Sequence, residues 1–117
     1  MKILLSFIFL ICTQFAVGQM ESMPITDFNA FNPSLEILLD VRTSEEFNEG
    51  CIDGAVNVDW FSEDFNQKIM QMDKTKKIYL YCKKGGRSLK SQQRLAELGF
   101  KNVVNLEGGY DAFSKIK

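Results

Sequence analysis

The chain has 117 residues, 45% of them hydrophobic and 25% charged, with 14 bases against 15 acids and a net charge of −1. That length suits one small domain and not two ordinary cores, and the charge balance argues against nucleic acid as a partner. Histidine is absent, which excludes Ser-His-Asp and Cys-His relays and any imidazole metal ligand.

Met1-Lys2 precedes a nearly unbroken apolar stretch from Ile3 to Ile11, and Ala16-Val17-Gly18 has the small-x-small form of a signal peptidase site. Residues 1–18 therefore read as a secretory signal peptide cleaved after Gly18. As a membrane span the segment is poor, because its apolar core is short and Thr13 and Gln14 interrupt it. Ile11 stands before Cys12 where a lipoprotein site has a small residue, so Cys12 is expected to leave with the signal. Removal of Lys2 takes the net charge to −2. The mature protein is expected in a periplasm or outside the cell, with no stable membrane span, and there a disulfide between Cys51 and Cys82 is chemically allowed.

Residues 19–24 read as a short linker and residues 25–117 as the domain. Thr26-Asp27 is an N-cap signal for a brief helix that carries Phe28 and Phe31 and ends near Pro33. Residues 37–41 form an apolar strand run. Thr43-Ser44-Glu45-Glu46 has the spacing of a capping box and predicts a short helix ended by Gly50. A strand follows at 55–58. Ser62, followed by Glu63 and Asp64, then caps a helix with Phe65, Ile69 and Met72 on one face and Lys74, Lys76 and Lys77 beyond its negative end. Residues 78–81 are a strand, and Leu89, Leu95 and Leu98 mark a helix that opens near Ser88. Gly99 is placed to end that helix while Phe100 packs back on Leu95. A strand at 103–106 and a last helix carrying Tyr110, Ala112 and Phe113 close the chain.

Short apolar strands separated by helices predict an α/β class: a doubly wound, five-stranded, mainly parallel sheet with helices on both faces. In such sheets ligands sit beyond the carboxyl ends of the strands. Residues 40–42, 59–60, 82–88 and 107–109 all follow strands and should gather at that edge.

The chemistry concentrates in Cys82-Lys83-Lys84-Gly85-Gly86-Arg87-Ser88. A thiol at a strand end, followed by a Gly-bearing cationic loop and a helix N-terminus, sits where backbone amides and the helix dipole stabilise negative charge. Lys83, Lys84 and Arg87 add full charges. Together they are expected to lower the Cys82 pKa below its reference of about 8.5 and to hold an anionic sulfur substrate or a persulfide. Cys82 reads as a nucleophile, and Lys83, Lys84, Gly85, Gly86, Arg87 and Ser88 as its substrate-binding cradle. The bland alternative is a buried small hydrophobe beside a solvated turn.

The segments LLDVRTSEEFNEG (38–50), GCIDGAVNV (50–58), YCKKGGRS (81–88) and LGFKNVVNLEGGYDAF (98–113) resemble a single-domain rhodanese, in the family's order and over nearly all of the mature chain. The resemblance implies a rhodanese-like fold and a thiosulfate sulfurtransferase type of enzyme. The Cys82 thiolate would take a sulfane sulfur from thiosulfate, a persulfide or a polysulfide, become a persulfide, and pass the sulfur to cyanide or to a thiol, either small or on a protein. No metal or organic cofactor is implied. Arg at the fifth position after the cysteine accompanies sulfur transfer in this family, whereas the related phosphatases have a loop one residue longer; here Arg87 is fifth. Asp40 and Arg42 resemble the family's Asp-Val-Arg motif and read as loop-bracing residues.

Where the family commonly has Gly-His-Ile this chain has Gly50-Cys51-Ile52, and where it often has Trp near the end this chain has Phe113. Cys51 reads as a small packing residue, with a resolving cysteine as the sharper alternative. Trp60 reads as a pocket wall or as ordinary packing, and Glu107 as a solvated residue. Two other functions compete: a rhodanese module retained for sulfur carriage or protein binding without turnover, and a cysteine phosphatase or arsenate reductase.

Overall fold

The apolar runs near residues 37–41, 55–58, 78–81 and 103–106 all become strands, and a fifth strand comes from a segment with no such run. In the computed structural model, which describes residues 19–116, the elements in chain order are β1 (Gln19–Pro24), β2 (Glu36–Asp40), α1 (Ser44–Glu49), β3 (Val56–Asn57), α2 (Phe65–Met70), β4 (Lys77–Tyr81), α3 (Gly86–Glu97), β5 (Asn102–Glu107) and α4 (Gly109–Lys115). The signal peptide reading of residues 1–18, with Cys12, lies outside the described residues. The five strands form one sheet in the order β1-β5-β4-β2-β3, and every pairing is parallel. None of the described helices is long and apolar enough to cross a membrane.

Residues 19–24 are thus a strand and not a linker. β1 runs beside β5 in register from Gln19 opposite Asn102 to Pro24 opposite Glu107. An edge strand is held by its backbone ladder on one side, so QMESMP needs no continuous apolar run, and proline at its last position is tolerated there. A side chain completes the attachment. Buried Gln92 of α3 donates from Nε2 to the carbonyls of Glu21 at 2.7 Å and Val103 at 3.0 Å, one on each of the two strands.

Alternation along the strands sends their side chains into two cores. Leu39, Val41, Ile78, Leu80, Cys82 and Val103 pack with Phe65 and Ile69 of α2 and Leu95 of α3. Leu38, Tyr81, Val104 and Leu106 pack on the other face with Ile25, Phe28, Ile52 and Phe113 of α4. This is the doubly wound arrangement, with helices on both faces.

The local signals hold in part. The capping box of α1 is complete: the Glu46 amide donates to the Thr43 hydroxyl at 3.2 Å while the Thr43 amide donates to Glu46 Oε1 at 3.0 Å. The end of α3 is a Schellman turn, in which Gly99 N–H bonds the Ala96 carbonyl and Phe100 N–H the Leu95 carbonyl. Four expectations are corrected. Residues 25–27 form a single 3₁₀ turn preceded by Pro24, so Thr26 and Asp27 lie inside it and Phe28 and Phe31 beyond it. Ser62 does not cap α2: its hydroxyl donates to Asp64 Oδ1, and Asp64, the residue at the N-cap, makes no side-chain capping bond. Lys77 does not follow a helix but opens β4, and Lys68 is the base in the last turn of α2. α3 opens at Gly86, two residues earlier than expected, and its Leu89 is exposed rather than core-facing.

Gln92→Ala should strip both carbonyls of this partner and lower unfolding stability by about 1 to 3 kcal/mol. Urea denaturation would register the loss, and hydrogen exchange should show it concentrated in the amides of β1.

Candidate active site

All strands being parallel, their carboxyl ends share one edge, and backbone bonds lock the departing loops together. Val41 N–H bonds the Tyr81 carbonyl at 3.0 Å, Val58 N–H that of Asp40 at 2.9 Å, and Trp60 N–H that of Val41 at 3.1 Å. Asn57 Nδ2 adds bonds to the carbonyls of Asp40 at 3.1 Å and Arg42 at 2.9 Å.

Tyr81 ends β4 with its ring on the α4 face of the sheet, so the next residue, Cys82, turns to the α3 face, where it is buried beside Leu80 and Leu95. The chain then folds back over the sulfur. Gly85 N–H donates to Cys82 Sγ at 3.0 Å, and the thiol lies 3.4 Å from the Ser88 hydroxyl, which donates in turn to the Gly85 carbonyl at 3.0 Å. Gly85 has φ +134°, a conformation that side chains disfavour, and α3 begins at the next residue. A Cβ built on Gly85 or Gly86 would meet nothing within 4 Å, so this part of the loop borders open space.

The loop is held from behind by α4. Tyr110 N–H donates to the Cys82 carbonyl at 2.8 Å and Asp111 N–H to that of Lys83 at 3.1 Å. Gly109 makes this docking feasible: with φ +65°, it sits so close that a Cβ there would lie 2.3 Å from the Lys83 carbonyl oxygen.

Asp40 and Arg42 form a buried pair. Arg42 Nη2 lies 2.7 Å from Asp40 Oδ2, and the same nitrogen donates to the Gly50 carbonyl at 2.6 Å. The Arg42 guanidinium stands 4.3 Å from the Tyr110 ring centroid. The pair therefore packs against Tyr110, whose amide holds the Cys82 carbonyl. Tyr81 belongs to the same packing: the Ile52 amide donates to its hydroxyl at 3.1 Å, and burial pushes its pKa well above the ordinary value.

Arg87 is engaged with Glu46, Nη1 to Oε1 at 2.7 Å and Nη2 to Oε2 at 3.0 Å. These bonds pull the Glu46 carboxyl from 4.5 down to about 2, against the opposing effect of its partial burial and with help from Thr43. They also raise the Arg87 pKa. Lys83 and Lys84 are exposed. A polar depression of about 240 Å³ lies beside the loop, its lining including Arg42, Glu46, Lys83 and Tyr110.

The structure thus brings Cys82, Gly85, Gly86 and Ser88 together, with Lys83 and Lys84 on the same loop. It places Arg87 as a paired brace, and Asp40 and Arg42 one layer behind. Trp60 packs edge-on against Phe65, with centroids 5.0 Å apart, as a partly buried residue at the margin of the core that also lines a surface depression, and Glu107 is exposed. Cys51 and Cys82 are both free thiols, Cys51 half-buried. Sequence reasoning missed Gly109 as the contact point of α4 and Glu46 as the partner of Arg87. The Gly-Gly pair was a signal for the first; nothing local links positions 46 and 87.

A family model described as "Rhodanese-like domain" matches residues 27–116. Thiosulfate sulfurtransferase 16, chloroplastic, of Arabidopsis thaliana is 36% identical over 87 residues, covering 66% of this chain and 72% of that protein. Thiosulfate sulfurtransferase GlpE of Shewanella oneidensis is 36% identical over 76 residues, 65% of this chain and 73% of that one. The chain spans only 22% of another relative, the adenylyltransferase and sulfurtransferase UBA4 of Meyerozyma guilliermondii, at 34% identity over 95 residues and 76% of this chain. Among solved structures, a Staphylococcus saprophyticus protein superposes with TM-score 0.68 at 34% identity, covering 80% of this chain and 93% of that one. The sulfurtransferases among these relatives support rhodanese-type sulfur transfer.

Two outcomes are expected. Gly109→Ala should cost about 3 kcal/mol in unfolding stability, from a strained backbone and a steric clash, and hydrogen exchange should show the Tyr110 and Asp111 amides losing protection. The Glu46 contribution to stability is complete above about pH 4.5 and is lost as the pH falls through about 2, because the folded carboxyl is the stronger acid. The urea midpoint of the wild type should therefore fall over that interval by more than that of Glu46→Gln.

Proposed function

Because the chain belongs to the rhodanese-like domain family, we propose that it is an exported sulfurtransferase in which Cys82 carries the transferred sulfur. The observation that carries this reading is the Gly85 amide aimed at Cys82 Sγ at 3.0 Å, beside a loop surface open at Gly85 and Gly86. That amide, with the N-terminal end of α3, favours negative charge on a sulfur at this point.

The reaction needs no outside oxidant. The Cys82 thiolate attacks the sulfane sulfur of the donor, a new S–S bond forms, and the donor's own S–S bond breaks. Its electron pair leaves on sulfite when the donor is thiosulfate, or on a thiolate when the donor is a persulfide. Cys82 is left as a persulfide. In the second half an acceptor thiolate or cyanide attacks the outer sulfur, and the electron pair of the breaking bond returns to Cys82.

Burial of Cys82 limits approach to the open side of the loop, where its outer sulfur would be presented. The Asp40–Arg42 brace and the α4 amides hold the geometry and touch no reacting atom. The spacing of five residues from Cys82 to Arg87 supports sulfur over phosphate as the transferred group. Export rests on the sequence of residues 1–18.

Mass spectrometry of protein recovered from the exported fraction should find a chain beginning at Gln19, with about 32 Da added on Cys82 after exposure to a sulfur donor. Cys82→Ser should abolish both that addition and sulfite release from thiosulfate. Wild-type rates in that variant, or turnover of p-nitrophenyl phosphate without sulfur transfer, would overturn the assignment.

A further inference from the structure

Arg87 is the base that the loop would be expected to offer to an anion, yet both of its terminal nitrogens are already bound to Glu46. Glu46 is itself anchored a second time: the Thr43 amide and hydroxyl each donate to its Oε1 at 3.0 Å, so swinging it away from Arg87 would also undo the cap of α1. The pair is only partly accessible, at 20% for Arg87 and 27% for Glu46, which protects it from full solvent screening. Lys83 and Lys84 are exposed, and their charges are correspondingly screened.

A donor entering the loop therefore meets an arginine whose charge is compensated and, in the wall of the adjoining depression, the carboxylate that compensates it. A doubly charged group gains little from Arg87, whose charge is already neutralised by Glu46. A persulfide delivers a terminal sulfur attached to a thiol group and asks for little beyond the Gly85 amide. The difference falls on the charge of the donor, not on the sulfur atom transferred.

We propose that Glu46 is a specificity-determining residue that disfavours dianionic donors such as thiosulfate and leaves low-molecular-weight persulfides as the preferred sulfur donors. The proposal rests on Cys82 as the sulfur carrier. In the favoured step the Cys82 thiolate attacks the outer sulfur of R–S–SH, the S–S bond of the donor breaks, R–S⁻ departs with the electron pair, and Cys82–S–SH remains. Sulfur atoms, protons and charge balance without a further reactant.

The test compares kcat/KM for thiosulfate and for cysteine persulfide in the wild type, Glu46→Gln and Thr43→Ala. Glutamine keeps an oxygen for the Thr43 amide but releases the charge of Arg87. Glu46→Gln should raise thiosulfate kcat/KM on the order of tenfold, mainly through KM, the gain of one charge-assisted hydrogen bond, with the persulfide value unchanged within about twofold. Thr43→Ala, which weakens the cap and keeps the carboxylate, should leave the donor ratio as it is. A parallel fall for both donors in Glu46→Gln, or an unaltered ratio, would make Glu46 a brace only and overturn the proposal. A second measurement needs no variant: millimolar inorganic sulfate should fail to inhibit persulfide turnover by the wild type, and competitive inhibition would overturn the proposal as well. Transfer from neither donor by the wild type would instead overturn the assignment of Cys82 on which it stands.

Discussion

The direction of two carbonyl groups governs the candidate active site. Those of Cys82 and Lys83 are both held by amides of α4. In a planar trans peptide the C=O and the following N–H point in opposite directions. Tying the carbonyls to α4 consequently turns the amides of Lys83 and Lys84 away from it, and the next amide, of Gly85, reaches the sulfur. Electropositive character at the loop is therefore a matter of backbone orientation, and the orientation depends on a helix more than twenty residues further along the chain.

Two ion pairs serve this arrangement in different ways. Asp40 and Arg42 are almost wholly removed from water, with side-chain exposures of 0% and 4%. Such a pair adds little net stability over a well-packed apolar alternative, but removing one partner strands the other charge. Its contribution is definition: the guanidinium has one place to be, between Asp40, the Gly50 carbonyl and the Tyr110 ring. Glu46 and Arg87 form the outer pair, partly wet, joining the first turn of α1 to the first turn of α3. One carboxylate thus finishes a helix cap and pairs with Arg87.

The sequence exposed most of this, and its silences have physical causes. Strands buried on both faces announce themselves through apolar runs such as Ile78-Tyr79-Leu80-Tyr81, and the placement of Cys82 after one of them, before a Gly-bearing turn, was sufficient to single out the loop. β1 was invisible because an edge strand draws its stability from backbone pairing and from Gln92, a residue about seventy positions away. Phe28 and Phe31 sit three apart, as on a helix, but their spacing reflects docking against the sheet, with Phe28 edge-on to Tyr79 at 5.1 Å. Leu89 matched a helical stripe and faces solvent, because the apolar face of α3 is supplemented by Ser88, Ser91 and Gln92, polar residues buried by their own hydrogen bonds. The Glu46–Arg87 pair escaped detection since a capping box already accounted for the glutamate.

The sheet order also carries a kinetic consequence. β1, the first described strand, pairs only with β5, the last, and β5 lies next to the β4 that ends at Cys82. Contacts of such long sequence separation require closure of nearly the whole chain, which slows folding relative to a locally connected domain. The α4 amides that orient the loop arrive later still in chain order. A nascent or partly folded chain would therefore contain Cys82 before the α4 amides are in place behind its loop.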